Sequence, residues 1–431
     1  MGAHPFHGLG RTGHPAGRAA SACLVAALLG ACAASPSGRP SADQPTPITT
    51  DQATARPQPS QTPALSLGAA WTSIHWTESD PGPFSGQGNQ YVLGGVPWAG
   101  GSILVGEEAP LPTGNVEGVV WTSTDNVDWQ RVPNPAGTFS GSEIDAVAAS
   151  GSTLVAVGHS RLEDNATTLT PPVGIAWVSS DGSHWQRVPD ENGALGSIAL
   201  HGVVAGSSGF VADGSDLSSG ATALAFSPDG HHWQREGVDA LFADSGVIAI
   251  AWTGEGYAAV GSHAVAQPSG VVSNVPGQAA AWWSSDGQTW HRSDVGSGAY
   301  EIESIQPWIH SLRAVGVPPC FGCVGPPLEW RSTDGGRTWR QLPPPAAPNQ
   351  SGSTAILLAG ERAVSLQDQP QQLSWSADGQ RWSDLSMTGS PLPSGTQLLI
   401  ASGPTVIAFA GVSGASANDQ EDMRVYAGTL R

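Results

Sequence analysis

The chain contains no lysine. All 17 of its basic residues are arginine, and with 36 acidic residues the formal net charge is −19. No basic stripe is available to neutralise a phosphate backbone or an anionic membrane surface, so nucleic acid is disfavoured as a partner. Charged residues make up only 12% of the 431 positions and apolar heptads are absent, which argues against long solvent-facing helices and coiled coils. Cysteine is scarce, with four residues. What is plentiful is glycine (56), proline (35) and tryptophan (17), a composition that suits many short strands, tight turns and large side chains packed between thin sheets.

Residues 1–31 carry Arg11, Arg18, no acid and an apolar run, Ala19 to Ala31, too short to cross a bilayer as a mature helix. This is the pattern of a secretory signal peptide. The run ends Leu29-Gly30-Ala31-Cys32, which resembles the lipobox of bacterial lipoproteins; the resemblance implies cleavage before Cys32 and lipidation of its thiol. Residues 32–66 are rich in Pro, Ser, Thr, Gln and Ala with almost no large apolar side chain, and are expected to form a disordered tether. The expected location is extracellular, on the outer side of the cell membrane, with the lipid as the sole membrane contact and a monomeric domain over 67–431.

That domain is organised by a repeated turn. STDGGRTW (Ser332 to Trp339) has shortened copies at Ser123 to Trp129, Ser179 to Trp185, Ser227 to Trp233, Ser284 to Trp290 and Ser376 to Trp382. The aspartates, Asp125, Asp181, Asp229, Asp286, Asp334 and Asp378, are 56, 48, 57, 48 and 44 residues apart, the length of one four-stranded sheet with its loops. A second pattern, an apolar strand ending in LVG (Leu104 to Gly106) or AVG (Ala156 to Gly158, Ala259 to Gly261, Ala314 to Gly316), recurs between the turns. Each unit therefore reads strand A, tight turn, strand B, longer loop, strand C, Ser-x-Asp turn, strand D. Six units run from about Tyr91 to Asp384, and a seventh from Gln397 has three strands. Its missing strand is expected from Ala69 to Trp76, pairing beside Arg424 to Leu430, so that the ring closes without open edges. The fold class is all-β, a seven-bladed β-propeller of four-stranded antiparallel blades.

The pattern S-x-D-x-G-x-T-W, complete at Ser332, Asp334, Gly336, Thr338 and Trp339, resembles that of the Asp-box, or bacterial neuraminidase repeat, propellers. In the first copy Asn126 replaces the Gly. The box is expected to be structural: the Asp accepts backbone N–H groups, the Gly takes positive φ, and Trp129, Trp185, Trp233, Trp290, Trp339 and Trp382 pack between sheets. The resemblance implies that the box turns and A–B turns share one face, and that function lies on the opposite face, among the B–C and D–A loops.

On that face the loops after strand B are expected to hold Glu107, Glu108, His159, Glu163, Asp164, Asp213, Asp216 and His263, while EIDAV (Glu143, Asp145) and EIESI (Glu301, Glu303) open two A strands. Of these, Glu107, Glu108, Glu143, Asp145, His159, His263, Glu301 and Glu303 are the candidate ligand contacts, suited to a cationic peptide, a sugar or a cation. No catalytic residue, metal site or cofactor is assigned. An active sialidase of this family would need three arginines clamping a carboxylate, a Tyr/Glu nucleophile and an acid/base Asp. The chain has no Arg-Ile-Pro before its first box, and Tyr300 beside Glu301 is the one suggestive pairing. Cys320 and Cys323, in a C-x-x-C outside the cytoplasm, read as a small disulfide loop. The expected function is binding or scaffolding of a protein or glycan partner without catalysis. The alternatives are a sialidase-like glycoside hydrolase and an assembly factor resembling the related propellers that handle photosynthetic membrane complexes.

Overall fold

The structure, a computed structural model, describes residues 75–429 apart from 111–115, 161–172, 264–277, 297–300, 318–327, 343–352, 377–382, 385–392, 413–421 and some shorter breaks. Cys32, Glu163, Asp164, Cys320, Cys323, Tyr300, Asp378 and Trp382, and the 1–31 and 32–66 segments, lie outside the described residues. Within them, strands form seven four-stranded antiparallel sheets. In A-to-D order the first sheet holds Gly88–Trp98, Gly101–Pro110, Glu117–Ser123 and Gln130–Arg131, and the second Ser142–Ser150, Thr153–Ser160, Gly174–Ser179 and Gln186–Arg187. The third holds Ile198–Gly206, Gly209–Asp216, Thr222–Ser227 and Gln234–Arg235, and the fourth Ser245–Trp252, Tyr257–His263, Gln278–Ser284 and His291–Arg292. The fifth comprises Glu301–Trp308, Ser311–Val317, Leu328–Ser332 and Arg340–Leu342; the sixth begins with Ser353–Ala359 and Arg362–Gln367.

The seventh sheet, Thr396–Ser402, Thr405–Val412 and Asp422–Thr429, takes its fourth strand from the other end of the domain, with Trp76 opposite Gly428 and Glu78 opposite Tyr426. The partner is the expected one, but the pairing strand is Trp76–Glu78 and shares only Trp76 with the expected segment; residues 69–74 lie outside the description. Arg424 of the seventh sheet reaches Glu78 across this pairing at 3.1 Å.

The A strands of neighbouring sheets pack on one another, so they form the inner side of the arrangement and the two- or three-residue D strands its outer side. The apolar core lies between sheets. Val96, Ile103 and Val105 of the first meet Ile144, Leu154 and Ile175 of the second. Ile407, Phe409 and Val425 of the seventh meet Leu104, Val119 and Trp121 of the first. A sheet covered on both faces must bury both faces of its strands, and Gly174–Ser179 and Thr222–Ser227 are buried at every position.

The five described Ser-x-Asp turns share one hydrogen-bond circuit. In the second, Asp181 Oδ1 accepts the backbone N–H groups of Ser183 (2.9 Å) and His184 (2.7 Å), Ser179 Oγ accepts that of Gly182 (2.9 Å), and Trp185 Nε1 donates to the Gly182 carbonyl (3.0 Å). The residue whose N–H donates to the Ser Oγ has positive φ, 74° at Gly182, and in the first turn 67° at Asn126, a residue type that tolerates this region. A second constraint acts on the glycine. A Cβ at Gly182, Gly230, Gly287 or Gly336 would lie within 2.8 Å of Ile103, Val155, Val211 or Ala258, a side chain of the preceding sheet in each case. The turn Trp goes with it: Trp185, Trp233, Trp290 and Trp339 all belong to the core shared with that preceding sheet.

A feature the sequence reading lacked is a phenylalanine ahead of strand A that wedges against the strand C tryptophan. Phe84 stacks on Trp121 with centroids 5.4 Å apart, and Phe139 and Phe242 meet Trp177 and Trp282 at 6.1 and 4.8 Å. In the first two cases the indole N–H also donates to the carbonyl just before the Phe, of Pro83 (2.6 Å) and Thr138 (3.0 Å).

The backbone and side-chain hydrogen bonds from His184 hold Asp181 well below the usual carboxylate range. A depressed carboxyl adds stability above its unfolded pKa of about 3.9, and this is lost as pH falls below it. Asp181→Ala is therefore expected to cost about 1 kcal/mol at pH 7, with the difference in Tm from the parent shrinking on acidification below about pH 4. Equal Tm values at pH 7 would contradict a stabilising role for this carboxylate.

Candidate functional site

Every A strand carries a β-bulge at one register. The extra residues are Leu93, Asp145, His201, Ile248, Glu303, Thr354 and Gln397 in sheets one to seven. A bulge leaves one residue out of the ladder and re-aims its side chain. Here it falls near the start of strand A and the end of strand B, the end expected to carry function. The recurrent LVG or AVG glycine answers to it: a Cβ on Gly106, Gly158 or Gly261 would lie 1.8, 2.0 or 1.8 Å from the carbonyl oxygen of Tyr91, Glu143 or Gly246.

Two adjacent bulges supply the polar cluster. Asp145 of the second sheet and His201 of the third flank the packed A strands, and His159 enters from strand B of the second sheet, opposite Glu143. His159 Nδ1 lies 3.1 Å from Asp145 Oδ2, and the His159 and His201 rings meet edge to face at 6.0 Å. One donor atom from each of Asp145, His159 and His201 lies within 4.8 Å of the others. His201 is solvent-accessible, yet crowding by protein atoms, with the charge of His159 adding, lowers its pKa and favours the neutral ring.

Opposite Gly202, the residue after His201, is Asp213. By register it sits where four of the other sheets place Val105, Val157, Val260 and Val315 and the remaining two place Leu366 and Phe409, so an acid replaces an apolar residue of the repeat. It is 2% exposed, and its Oδ1 has no hydrogen-bond partner. Gly202 opposite makes the room, since a Cβ there would lie 2.3 Å from that oxygen. Burial, reinforced by Asp145, pushes the Asp213 pKa up to about 7.

The eight sequence candidates do not converge on one place. Asp145 and His159 join the cluster, with Glu143 beside them on the ladder. Glu107 is buried in the first sheet, and Glu108 pairs with Arg131 of the same sheet at 2.5 Å. Glu301 and Glu303 repeat the positions of Glu143 and Asp145 in the fifth sheet, where Glu301 accepts the Ser262 hydroxyl at 3.2 Å. Loss of surrounding water, then the charge of Glu301, raises the Glu303 pKa. His263 is in the fourth sheet, where partial burial and then Arg292 lower its pKa. Asp213, expected in a loop after strand B, lies instead buried within that strand, and His201 was not among the expected residues. Asp213 was legible as Ala212-Asp213-Gly214 in the place of AVG; His201 has no local signal, because the bulge that aims it is invisible in the residue pattern.

Among the described residues, several arginines are engaged by acids of their own sheets. Arg235 pairs with Asp216 (2.6 Å), and Arg313 and Arg331 bracket Glu329 (2.8 and 3.0 Å) with both guanidinium groups over Trp308. The buried Tyr257 hydroxyl donates to the Gly209 carbonyl, and burial pushes its pKa up to about 12.

No protein-family model matches the chain, and no curated protein matches its sequence. Among solved structures it is similar to the Trypanosoma rangeli sialidase in complex with the inhibitor DANA, with 12% identity and a TM-score of 0.40, covering 79% of this chain and 55% of that one. It is also similar to YCF48 bound to D1 peptide, with 13% identity over 83% of this chain and 97% of that one and a TM-score of 0.47. A third is the β-propeller domain of the trilobed protease from Pyrococcus furiosus, with 8% identity over 79% and 97% of the two chains and a TM-score of 0.46. These are distant likenesses.

An acid whose folded-state pKa exceeds its unfolded value takes up a proton on folding at intermediate pH, so Asp213 makes stability fall as pH rises from about 4 to about 7. In chelator-treated protein Asp213→Asn is expected to be more stable than the parent by about 1–3 kcal/mol at pH 8 and by less at pH 5. A gain in Tm that does not depend on pH would contradict the buried-acid assignment.

Proposed function

We propose that the chain is a seven-bladed β-propeller, closed by its N-terminal strand, that binds or scaffolds a protein or glycan partner at the bulge end of its inner strands and catalyses no reaction. The observation that carries this reading is the row of bulges. One register repeated in every sheet presents residues of different chemistry, from Leu93 and Ile248 to Asp145, His201 and Glu303, on one end of the inner wall. A regular scaffold with irregular contact residues suits selective recognition. The sialidase reading finds less support, since Arg131, Arg235, Arg313 and Arg331 are tied to acids of their own sheets and Tyr257 is buried. In this reading the recurrent Asp and Trp turns hold the blades together on the opposite end, and Cys32 carries a lipid that keeps the domain at the outer surface of the cell membrane.

The full-length protein, screened on glycan and cationic-peptide arrays, is expected to select a ligand whose binding falls at least about tenfold in Glu303→Gln or Leu93→Ala, the size of one interface contact. Turnover of an aryl sialoside would overturn the non-catalytic reading. For the anchor, Cys32→Ser is expected to move the protein from the membrane fraction to the soluble fraction; retention at the membrane would count against lipidation there.

A further inference from the structure

We infer that Asp145, His159 and His201 form a binding site for a divalent first-row transition metal ion of the zinc type, with the buried Asp213 supplying negative charge. This goes beyond the partner-binding reading and does not depend on it.

The donor set is the first support. Two imidazoles and one carboxylate are the ligand types that borderline divalent ions take in proteins, and oxygen-only ions such as calcium or magnesium make little use of imidazole. The three come from two sheets, two of them on adjacent bulges, and one donor atom of each lies within 4.8 Å of the other two. A tetrahedron with bonds of about 2.1 Å has edges of about 3.4 Å, so the widest donor pair must close by at most about 1.4 Å. His201 has the freedom to do so, being solvent-accessible on a bulge outside the ladder. His159 Nδ1 and Asp145 Oδ2 already face each other at 3.1 Å, close to the edge length such a tetrahedron needs, and an ion would take the place of that contact.

Asp213 is the second and independent support. An acid that is 2% exposed, with an oxygen lacking any hydrogen-bond partner, in a position the sister sheets fill with valine, leucine or phenylalanine, is a standing cost to the fold. Glycine opposite accommodates it at Gly202. A cation held by the neighbouring Asp145, His159 and His201 would offset the charge of both carboxylates, which otherwise repel each other. Three protein donors would leave at least one coordination position for water or for a donor from outside.

The test is a calorimetric titration of the chelator-stripped full-length protein with zinc chloride as sole probe, alongside the change in Tm. One ion per chain is expected. His201→Ala, at an accessible bulge and so tolerable to the fold, is expected to weaken binding by at least about 100-fold, and Asp213→Asn by about tenfold. The paired substitution His231→Ala and His232→Ala, at exposed turn residues, is expected to change neither affinity nor stoichiometry. Zinc should raise the Tm of the parent and not that of His201→Ala, whose circular dichroism should match the parent. Where His159→Ala fails to fold, His201→Ala alone decides. Absence of a stoichiometric site, or a site that survives His201→Ala unchanged, would overturn the proposal. Because the metal alone is the probe, failure of the glycan and peptide screen leaves this result unaffected, and a failed zinc titration says nothing against a partner.

Discussion

The close approach of each Ser-x-Asp turn to the sheet before it is the constraint on which the rest of the structure depends. Gly182, Gly230, Gly287 and Gly336 touch a side chain of the preceding sheet so nearly that no Cβ fits, and the tryptophan three residues on fills the shared core. The local turn and the distance between sheets are therefore set by the same residues. With that spacing held at the outer end, the A strands are brought into contact at the inner end, and the bulges of neighbouring sheets come to lie side by side. The polar cluster of Asp145, His159 and His201 follows from that adjacency, since its members belong to two different sheets.

The architecture was legible because its determinants are local and repeated. The Asp, Gly and Trp of the turn act within a few residues of one another, and the substitution of Asn126 for glycine fell at the one slot where positive φ is required. The bulges were half legible. The recurrent LVG and AVG glycines stood out in the sequence, but their cause, a carbonyl oxygen pressed into the space of a side chain, depends on the neighbouring strand. The strand that completes the seventh sheet resembles strand D in sequence, and among the described residues its pairing falls at Trp76–Glu78.

The site was less legible because a polar residue near a loop carries no mark of the partner it meets in three dimensions. Glu108 is an acid near a loop, but its partner is Arg131 two strands away, a pairing no linear pattern reveals. His201 stands in an apolar stretch and acquires its position from a bulge. Asp213 is the instructive case: against the internal repeat it is the one acid standing where Val105, Val157, Val260 and Val315 stand. Departure from the repeat's own rule marks a residue better than its chemistry does, because the repeat states what packing alone would choose.

The pairing of Trp76–Glu78 with the last strand of the domain bears on the order of assembly. Within sheets one to six each strand pairs with a neighbour close along the chain, so these sheets can form in succession as synthesis proceeds. The seventh cannot be completed until Tyr426 and Gly428 have been made and have met residues emitted at the very start of the domain. Until then both ends of the array are bare strands, open to pairing with another chain. The seventh sheet is therefore completed after the other six, and the interval before its fourth strand pairs leaves a strand edge open to association with another chain.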